Sequence, residues 1–226
     1  MNASEGRLFK SPFDNEVVFV AITEDQSEPE SLHPAEVNIL SPTASQKTRR
    51  RFITGRTAAR QVLDQISVGR EVPLLRGDGG EPIWPQGIVG SISHCENWAI
   101  AAGTRDPDIR SLGIDLENWA KFEPPDSSLI IFSTSELRWA QQDRSCELQR
   151  LAILFSGKEA VFKALYPAYG RSLEIGDIRL QWQATEQRFH IGLPSTISIN
   201  SNLSFTALPS IFGNYVLSST ILRRGL

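Results

Sequence analysis

The chain of 226 residues predicts an α+β fold built from two similar α/β subdomains. Two long stretches repeat their apolar positions with the period of an α-helix. Short runs of alternating or β-branched residues flank both of them, so the order strand, helix, strands occurs twice. Between the two sets lies "RDPDIR", a charged connector with a proline, which divides the chain into residues 1–108 and 109–226. No residue-level repeat accompanies the duplicated order of elements.

In chain order, "EVVFVAI" at 16–22 crowds β-branched and aromatic residues into one run and predicts a buried strand. The polar, proline-broken segment after it reads as loop, with a short helical piece at "PAEVNIL". From Ser45, "SQKTRRRFITGRTAARQVLDQI" sets Phe52, Ala59, Val62, Leu63 and Ile66 near helical spacing, which predicts a long helix ending before Gly69. "LLRGDGGEPIWP" is dense in glycine and proline and reads as loop, and "GIVGSISHCENWAIAAGT" predicts two strands around a turn. Past the connector come the strand "LGIDLE", the loop "NWAKFEPPDSS", a helix "STSELRWAQQ" capped by Ser133, Thr134 or Ser135, and the long helix "ELQRLAILFSGKEAVFKALY". The tail alternates in "DIRLQW", "RFHIGL", "TISI", "LSFTAL" and "NYVLSSTIL", the pattern of an antiparallel sheet.

With 40% hydrophobic and 22% charged residues, the chain is composed like a globular domain and unlike a disordered one. No apolar run reaches the roughly 20 residues of a membrane span, and the N-terminus lacks the marks of a signal peptide. A soluble, cytoplasmic monomer is therefore expected. Cys95 and Cys146 have no metal-binding spacing and are expected to stay reduced. A net charge of −3 argues against generic nucleic-acid binding. One block departs from that balance: Lys47 to Arg60 holds six basic residues and no acidic one, the composition of an anion site.

Asp115 and Glu117 sit two apart in the predicted strand, so both project from one face, and like charges that close need a neutralising partner. A proton, a basic side chain or a metal ion would serve. In "LFSGKEAVFKAL", Lys158, Glu159 and Lys163 lie within two helical turns, bordered by Phe155, Val161, Phe162 and Leu165, and Glu159 and Lys163 share a face. Charges against so apolar a surface are costly without partners. Asp115, Glu117 and Glu159 together would offer Mg²⁺ three hard oxygen ligands, and the lysines and arginines would face a polyanion sharing that metal. His33 and His190 read as structural.

These residues resemble the 4′-phosphopantetheinyl transferases. "GIDLE" with "FSGKEAVFKAL" is similar to the family's paired signature. "PIWPQGIVGSISHCENWAIAA" resembles the upstream motif of its siderophore-synthesis subgroup, typified by enterobactin synthase component D, and "RRRFITGRTAARQVL" resembles that subgroup's coenzyme A segment. The likeness runs over residues 47 to 166 and implies the family's fold, a pseudo-two-fold pair of α/β subdomains with coenzyme A, the substrate, in the cleft between them. Residues 1–108 would form the side that takes the 3′-phosphate, and 109–226 the side with the metal and catalytic motifs. By the same resemblance Asp115, Glu117 and Glu159 are ligands of Mg²⁺, or of Mn²⁺ in its place. Asp115 thereby also stands beside coenzyme A. Glu159 is further implied to take the proton from the incoming serine hydroxyl, and Lys163 to contact the pyrophosphate. His94, with Ser93 beside it, would hold a coenzyme A phosphate, and Arg51 and Arg56, with Arg49 and Lys47, the 3′-phosphate. Lys158 would be a further coenzyme A contact, and Gly80, Glu81 and Pro82 would line the nucleotide. Some relatives carry a lysine where Glu81 stands.

The activity so implied is Mg²⁺-dependent transfer of 4′-phosphopantetheine from coenzyme A to a serine of a peptidyl, aryl or acyl carrier protein. Trp119 and Phe122, in the loop after the strand, would form an apolar patch for that partner. Two rival readings are a non-catalytic coenzyme A-binding protein and a magnesium-dependent phosphohydrolase that uses water in place of serine. A product assay with and without carrier protein separates them. Mutual repulsion of the carboxylates also leads to the expectation that Asp115→Ala leaves metal-free stability unchanged or raises it.

Overall fold

A computed structural model describes residues 13, 19–24, 32–69, 71–125, 128–169, 173–186, 188–195, 197 and 205–223. The chain divides into units of residues 1–107 and 108–226, and the change falls inside the "RDPDIR" connector. None of the described helices is long and apolar enough to cross a membrane, and Cys95 and Cys146 are not bridged.

In the first unit, β1 (Phe19–Glu24), β4 (Val89–Cys95) and β5 (Trp98–Thr104) form an antiparallel sheet in the order β1-β5-β4. Helix α2 (Gln46–Gln65) packs on this sheet, its first turn capped by Ser45, whose hydroxyl accepts from the Thr48 amide. Short side chains let the two approach: Ala58 and Ala59 of α2 are buried in one cluster with Ala21, Ala99 and Ala101 of the strands. Val62, Leu63 and Ile66, with Leu74 and Ile88, close the cluster, each full burial of such a side chain contributing about 1.5–3 kcal/mol. The "EVVFVAI" strand is present from Phe19 onward, and residues 16–18 lie outside the described residues. The glycine-rich "LLRGDGGEPIWP" segment is not wholly loop. It folds into a two-stranded hairpin of β2 (Leu75–Arg76) and β3 (Pro82–Ile83), whose turn relies on Gly80 at φ +94°.

The second unit carries a five-stranded antiparallel sheet in the order β6-β10-β9-β8-β7, from β6 (Ile109–Asn118), β7 (Arg179–Gln183), β8 (Arg188–Gly192), β9 (Phe205–Phe212) and β10 (Tyr215–Arg223). Its first strand pairs with its last, as β1 pairs with β5 in the first unit. The predicted "TISI" strand lies, apart from Ile197, outside the described residues. Helix α5 (Glu147–Tyr169) covers β6 and β10, and two shorter helices, α3 (Ser128–Ile131) and α4 (Thr134–Gln141), precede it. Leu154, Val161 and Leu165 of α5 bury with Ile178, Phe189 and Val216 in the core. The approach of α5 to β6 again needs a small residue: a methyl group on Gly113 would stand 1.9 Å from the Ala160 carbonyl oxygen.

Both units contain the same polar strut. In the first, α1 (Pro34–Val37) opens with a capping box in which His33 accepts from the Ala35 amide and Glu36 accepts from the His33 amide. Glu36 is 1% exposed, so its other oxygen needs partners, and it takes the Leu74 amide at 2.7 Å and the Arg60 guanidinium at 3.1 Å. Arg60 also donates to the Val72 carbonyl. In the second, Ser133 and Glu136 form the capping box of α4, and Glu136 accepts the Leu180 amide at 2.7 Å and pairs with Lys158 at 3.0 Å. Lys158 donates to the carbonyls of Ile131 and Ile178. A capping glutamate thus ties a short helix, the long helix and a distant backbone segment together in each unit.

Candidate active site

Strand pleat answers what happens to the paired carboxylates. Ser111, Gly113, Asp115 and Glu117 alternate along the face of β6 that α5 covers, as the Ser111 hydroxyl donating to the Ala164 carbonyl and the Gly113 contact indicate. Asp115 is 3% exposed and lies opposite Ser218 of β10. From α5, the Ser156 hydroxyl donates to the Asp115 carbonyl at 3.1 Å, which fixes the helix against this point of the strand. Lys163 brings its ammonium to 2.6 Å from Asp115 Oδ1, 3.9 Å from Glu159 Oε2 and 3.3 Å from the Ile114 carbonyl.

A basic side chain is therefore the neutralising group. Burial pushes the Lys163 ammonium down, but Asp115, Glu159 and, more weakly, Glu117 outweigh it, so the group is held above its ordinary value and stays charged. For Glu159, burial pushes the carboxyl up, Lys163 pulls it down and Asp115 pushes it up again, with a net rise. The expectation that Asp115→Ala leaves metal-free stability unchanged or raised is corrected here. The Asp115 carboxylate is not an unrelieved repulsion but half of a 2.6 Å charge-assisted hydrogen bond, which its removal would lose.

Lys158, the neighbour of Glu159 in sequence, is not brought to this cluster. It is 0% exposed, and its ammonium is held by Glu136 and the Ile131 and Ile178 carbonyls, which corrects the expectation that it contacts coenzyme A. Burial pushes its pKa down further than Glu136 raises it, so the group is held below its ordinary value. Phe122 is corrected as well. It is buried against Phe155, with ring centroids 5.5 Å apart, and so adds nothing to an exposed patch. Trp119 remains half-exposed, anchored by its indole donating to the Gly213 carbonyl at 3.0 Å in the β9–β10 turn.

The first unit gathers a second set. His94 projects from β4 toward α2, where a methyl group on Gly55 would stand 2.2 Å from its Nε2. Only a glycine leaves room for the imidazole there. Arg51 is exposed one helical turn before Gly55, on the same side of α2, so the arginine and the histidine share a face. Ser93, next to His94, is buried and points to the opposite side of the strand. Arg56 is buried beneath the β2–β3 hairpin, donates to the Leu75 carbonyl at 3.2 Å and stacks on Phe52 at 4.7 Å. Burial lowers its pKa to about 10, Glu36 raising it and Arg76 and Arg60 lowering it further. Arg49 donates to the carbonyls of Ser41, Pro42 and Ala44 and so braces the loop before α2. In the hairpin, Gly77 leaves the space taken by the Glu81 carboxylate, and the Gly77 amide donates to the Glu81 carbonyl. Sequence reasoning missed Gly55, Gly113 and Ser156; a glycine or serine in a helix or strand that should bury larger side chains was the available signal.

Whether the carboxylates suit a divalent cation is a question of donor type and charge. Asp115, Glu117 and Glu159 are hard oxygen donors, and a cation, the Lys163 ammonium, already stands among them. Among the described residues no three acidic, histidine or cysteine side chains are drawn into a ready-made metal cluster. The donor set fits a hard divalent ion.

Two sequence families cover this geometry: the 4′-phosphopantetheinyl transferase N-terminal domain matches residues 36–103, and the 4′-phosphopantetheinyl transferase superfamily matches 111–218. The chain belongs to the 4′-phosphopantetheinyl transferase superfamily. It is 35% identical over 201 residues to the 4′-phosphopantetheinyl transferase PptT of Mycobacterium tuberculosis, covering 87% of this chain and 86% of that one. With Svp of Streptomyces mobaraensis it shares 37% identity over 71% of this chain and 65% of the relative. With enterobactin synthase component D of Salmonella typhimurium the figures are 33%, 54% and 50%.

Proposed function

We propose that this chain transfers 4′-phosphopantetheine from coenzyme A to a serine of a carrier protein at the Asp115–Glu117–Glu159 cluster, with a divalent cation. The serine oxygen forms a bond to the phosphorus that bears the pantetheine arm, the pyrophosphate bond breaks, and 3′,5′-adenosine bisphosphate leaves. Glu159 takes the hydroxyl proton, its carboxylate lying on the same helix face as Lys163. Lys163, on a flexible stem and partly exposed, turns its charge to the phosphate under attack. Mg²⁺ or Mn²⁺, held by Asp115, Glu117 and Glu159, would supply further positive charge to the phosphate oxygens. The observation that carries this reading is the meeting of two carboxylates and one ammonium within 4 Å, on residues that match the family's paired signature. In the first unit, Arg51 and His94 take phosphates of the nucleotide and the hairpin at Gly80 to Pro82 lines it; in the second, half-exposed Trp119 meets the carrier protein.

Incubation with coenzyme A and apo carrier domains of peptidyl, aryl and acyl type, followed by intact-mass measurement, tests the activity. A mass gain of one phosphopantetheine on the carrier is expected. Hydrolysis of coenzyme A without carrier modification would favour the phosphohydrolase.

Two substitutions separate the roles in the first unit. Arg51→Ala is expected to weaken coenzyme A binding about tenfold while barely changing that of 3′-dephospho-coenzyme A, because an exposed arginine loses only its ligand contact. Equal losses, read by calorimetry, would assign it another contact. Gly55→Ala gains about 0.5–1 kcal/mol of helix preference but drives its methyl into His94. Near-native melting with weakened coenzyme A binding is the expected outcome, and unchanged binding would remove His94 from the nucleotide site.

A further inference from the structure

We propose that Lys163 competes with the metal, its ammonium holding the cation's place on Asp115 until a phosphate draws it away. The inference rests on the reading of Asp115, Glu117 and Glu159 as metal ligands. The ammonium sits 2.6 Å from Asp115 Oδ1 and 3.3 Å from the Ile114 carbonyl, with Glu159 Oε2 at 3.9 Å. A Mg²⁺ ion takes its oxygen ligands at about 2.0–2.1 Å, and a second cation cannot share the same carboxylate oxygen at hydrogen-bond distance without strong repulsion. An ion that binds at Oδ1 must therefore unseat Lys163. The side chain has somewhere to go. It is 26% exposed, whereas Asp115 is only 5% exposed in its side chain, so the lysine can swing outward and the carboxylate cannot.

This arrangement couples two ligands through one side chain. A phosphate that offers Lys163 a new partner lowers the cost of releasing Asp115, so phosphate-bearing ligand and metal bind more tightly together than apart, each helping the other equally. With no phosphate present, the protein guards its own carboxylates against divalent ions. The residue that later stabilises the reacting phosphate thus also decides when the metal enters.

Calorimetric titration of the metal-free protein with Mn²⁺ alone tests the idea, on wild type, Lys163→Met, Lys163→Gln and Asp115→Asn. Lys163→Met is expected to bind Mn²⁺ about tenfold more tightly than wild type or better, the scale of one charge-assisted hydrogen bond. Its melting temperature should be lower without metal and rise more on adding metal. Lys163→Gln, which keeps a donor without the charge, should behave alike and substitutes if the methionine variant does not fold. The gain should persist in 1 M salt, where the Debye length falls to about 3 Å. Added 3′,5′-adenosine bisphosphate should tighten Mn²⁺ binding more in wild type than in Lys163→Met.

Equal affinity in wild type and both lysine variants, with weaker binding in Asp115→Asn, overturns the competition and leaves the ligand assignment standing. A gain that vanishes in high salt overturns it also, since Lys163 would then act only as a distant charge. Binding that is the same in Asp115→Asn as in wild type removes the metal site itself.

Discussion

Glu159→Gln lowers turnover on a carrier domain by about 10²-fold or more, the scale of a positioned general base. The substitution keeps the size and the hydrogen-bonding reach of the side chain and removes its charge and its basicity. As a surface ion pair with Lys163, 3.9 Å away at i and i+4, Glu159 would be worth under about 1 kcal/mol, so a folding defect does not account for a loss of that size. The measurement is turnover at saturating metal, coenzyme A and carrier protein, with melting temperature followed in parallel. Near-normal turnover with an unchanged melting temperature would reduce Glu159 to a bystander on the helix.

Lys158→Met destabilises the protein by about 3–5 kcal/mol, the usual result of removing one partner of a buried ion pair. Methionine fills much the same volume, so the loss comes from charge and hydrogen bonds. Glu136, 1% exposed, would keep its negative charge with no cation, and the Ile131 and Ile178 carbonyls would each lose a donor. A second change, Glu136→Gln, removes the orphaned charge while keeping an acceptor for the Leu180 amide, so the double variant should recover part of the loss. Chemical denaturation of the two single variants and the double variant closes the cycle. Additive losses would mean that the two groups do not act as a pair. Turnover of correctly folded Lys158→Met should stay within a few-fold of wild type, since this lysine reaches none of the reacting groups.

These two lysines mark how far the sequence could be read. Lys163 was legible because it shares a helix face with Glu159 and matches a motif, and helical spacing is a local property. Lys158 was not, because the same motif offers it equally as a ligand contact, and its actual partner stands on another helix in the capping box of Ser133. The apolar run around Asp115 and Glu117 marked a strand at "LGIDLE", which extends further, over Ile109–Asn118, and the cap at Ser133 was among those expected. The β2–β3 hairpin was missed because strands of two residues carry no periodicity. Phe122 follows the same logic as Lys158. In a loop with prolines an aromatic residue looks available, and only the position of Phe155 on α5 shows that it is covered. The contact of His94 with the open side of Gly55 depends on how a helix packs on a sheet, which no local pattern encodes.

The paired struts also govern how this sequence can drift. A lineage that alters Glu136 alone leaves Lys158 charged in the interior, and one that alters Glu36 alone does the same to Arg60, so either single step crosses a valley of several kcal/mol. Exchange of lysine for arginine at 158 keeps the charge but must fit a larger, planar group into a fully buried site. Abandoning the pair requires two changes together and a new partner for the Leu180 or Leu74 amide. Across descendants, positions 36 and 60, and 136 and 158, are therefore expected to change in concert while exposed Arg51 varies alone with the ligand it meets.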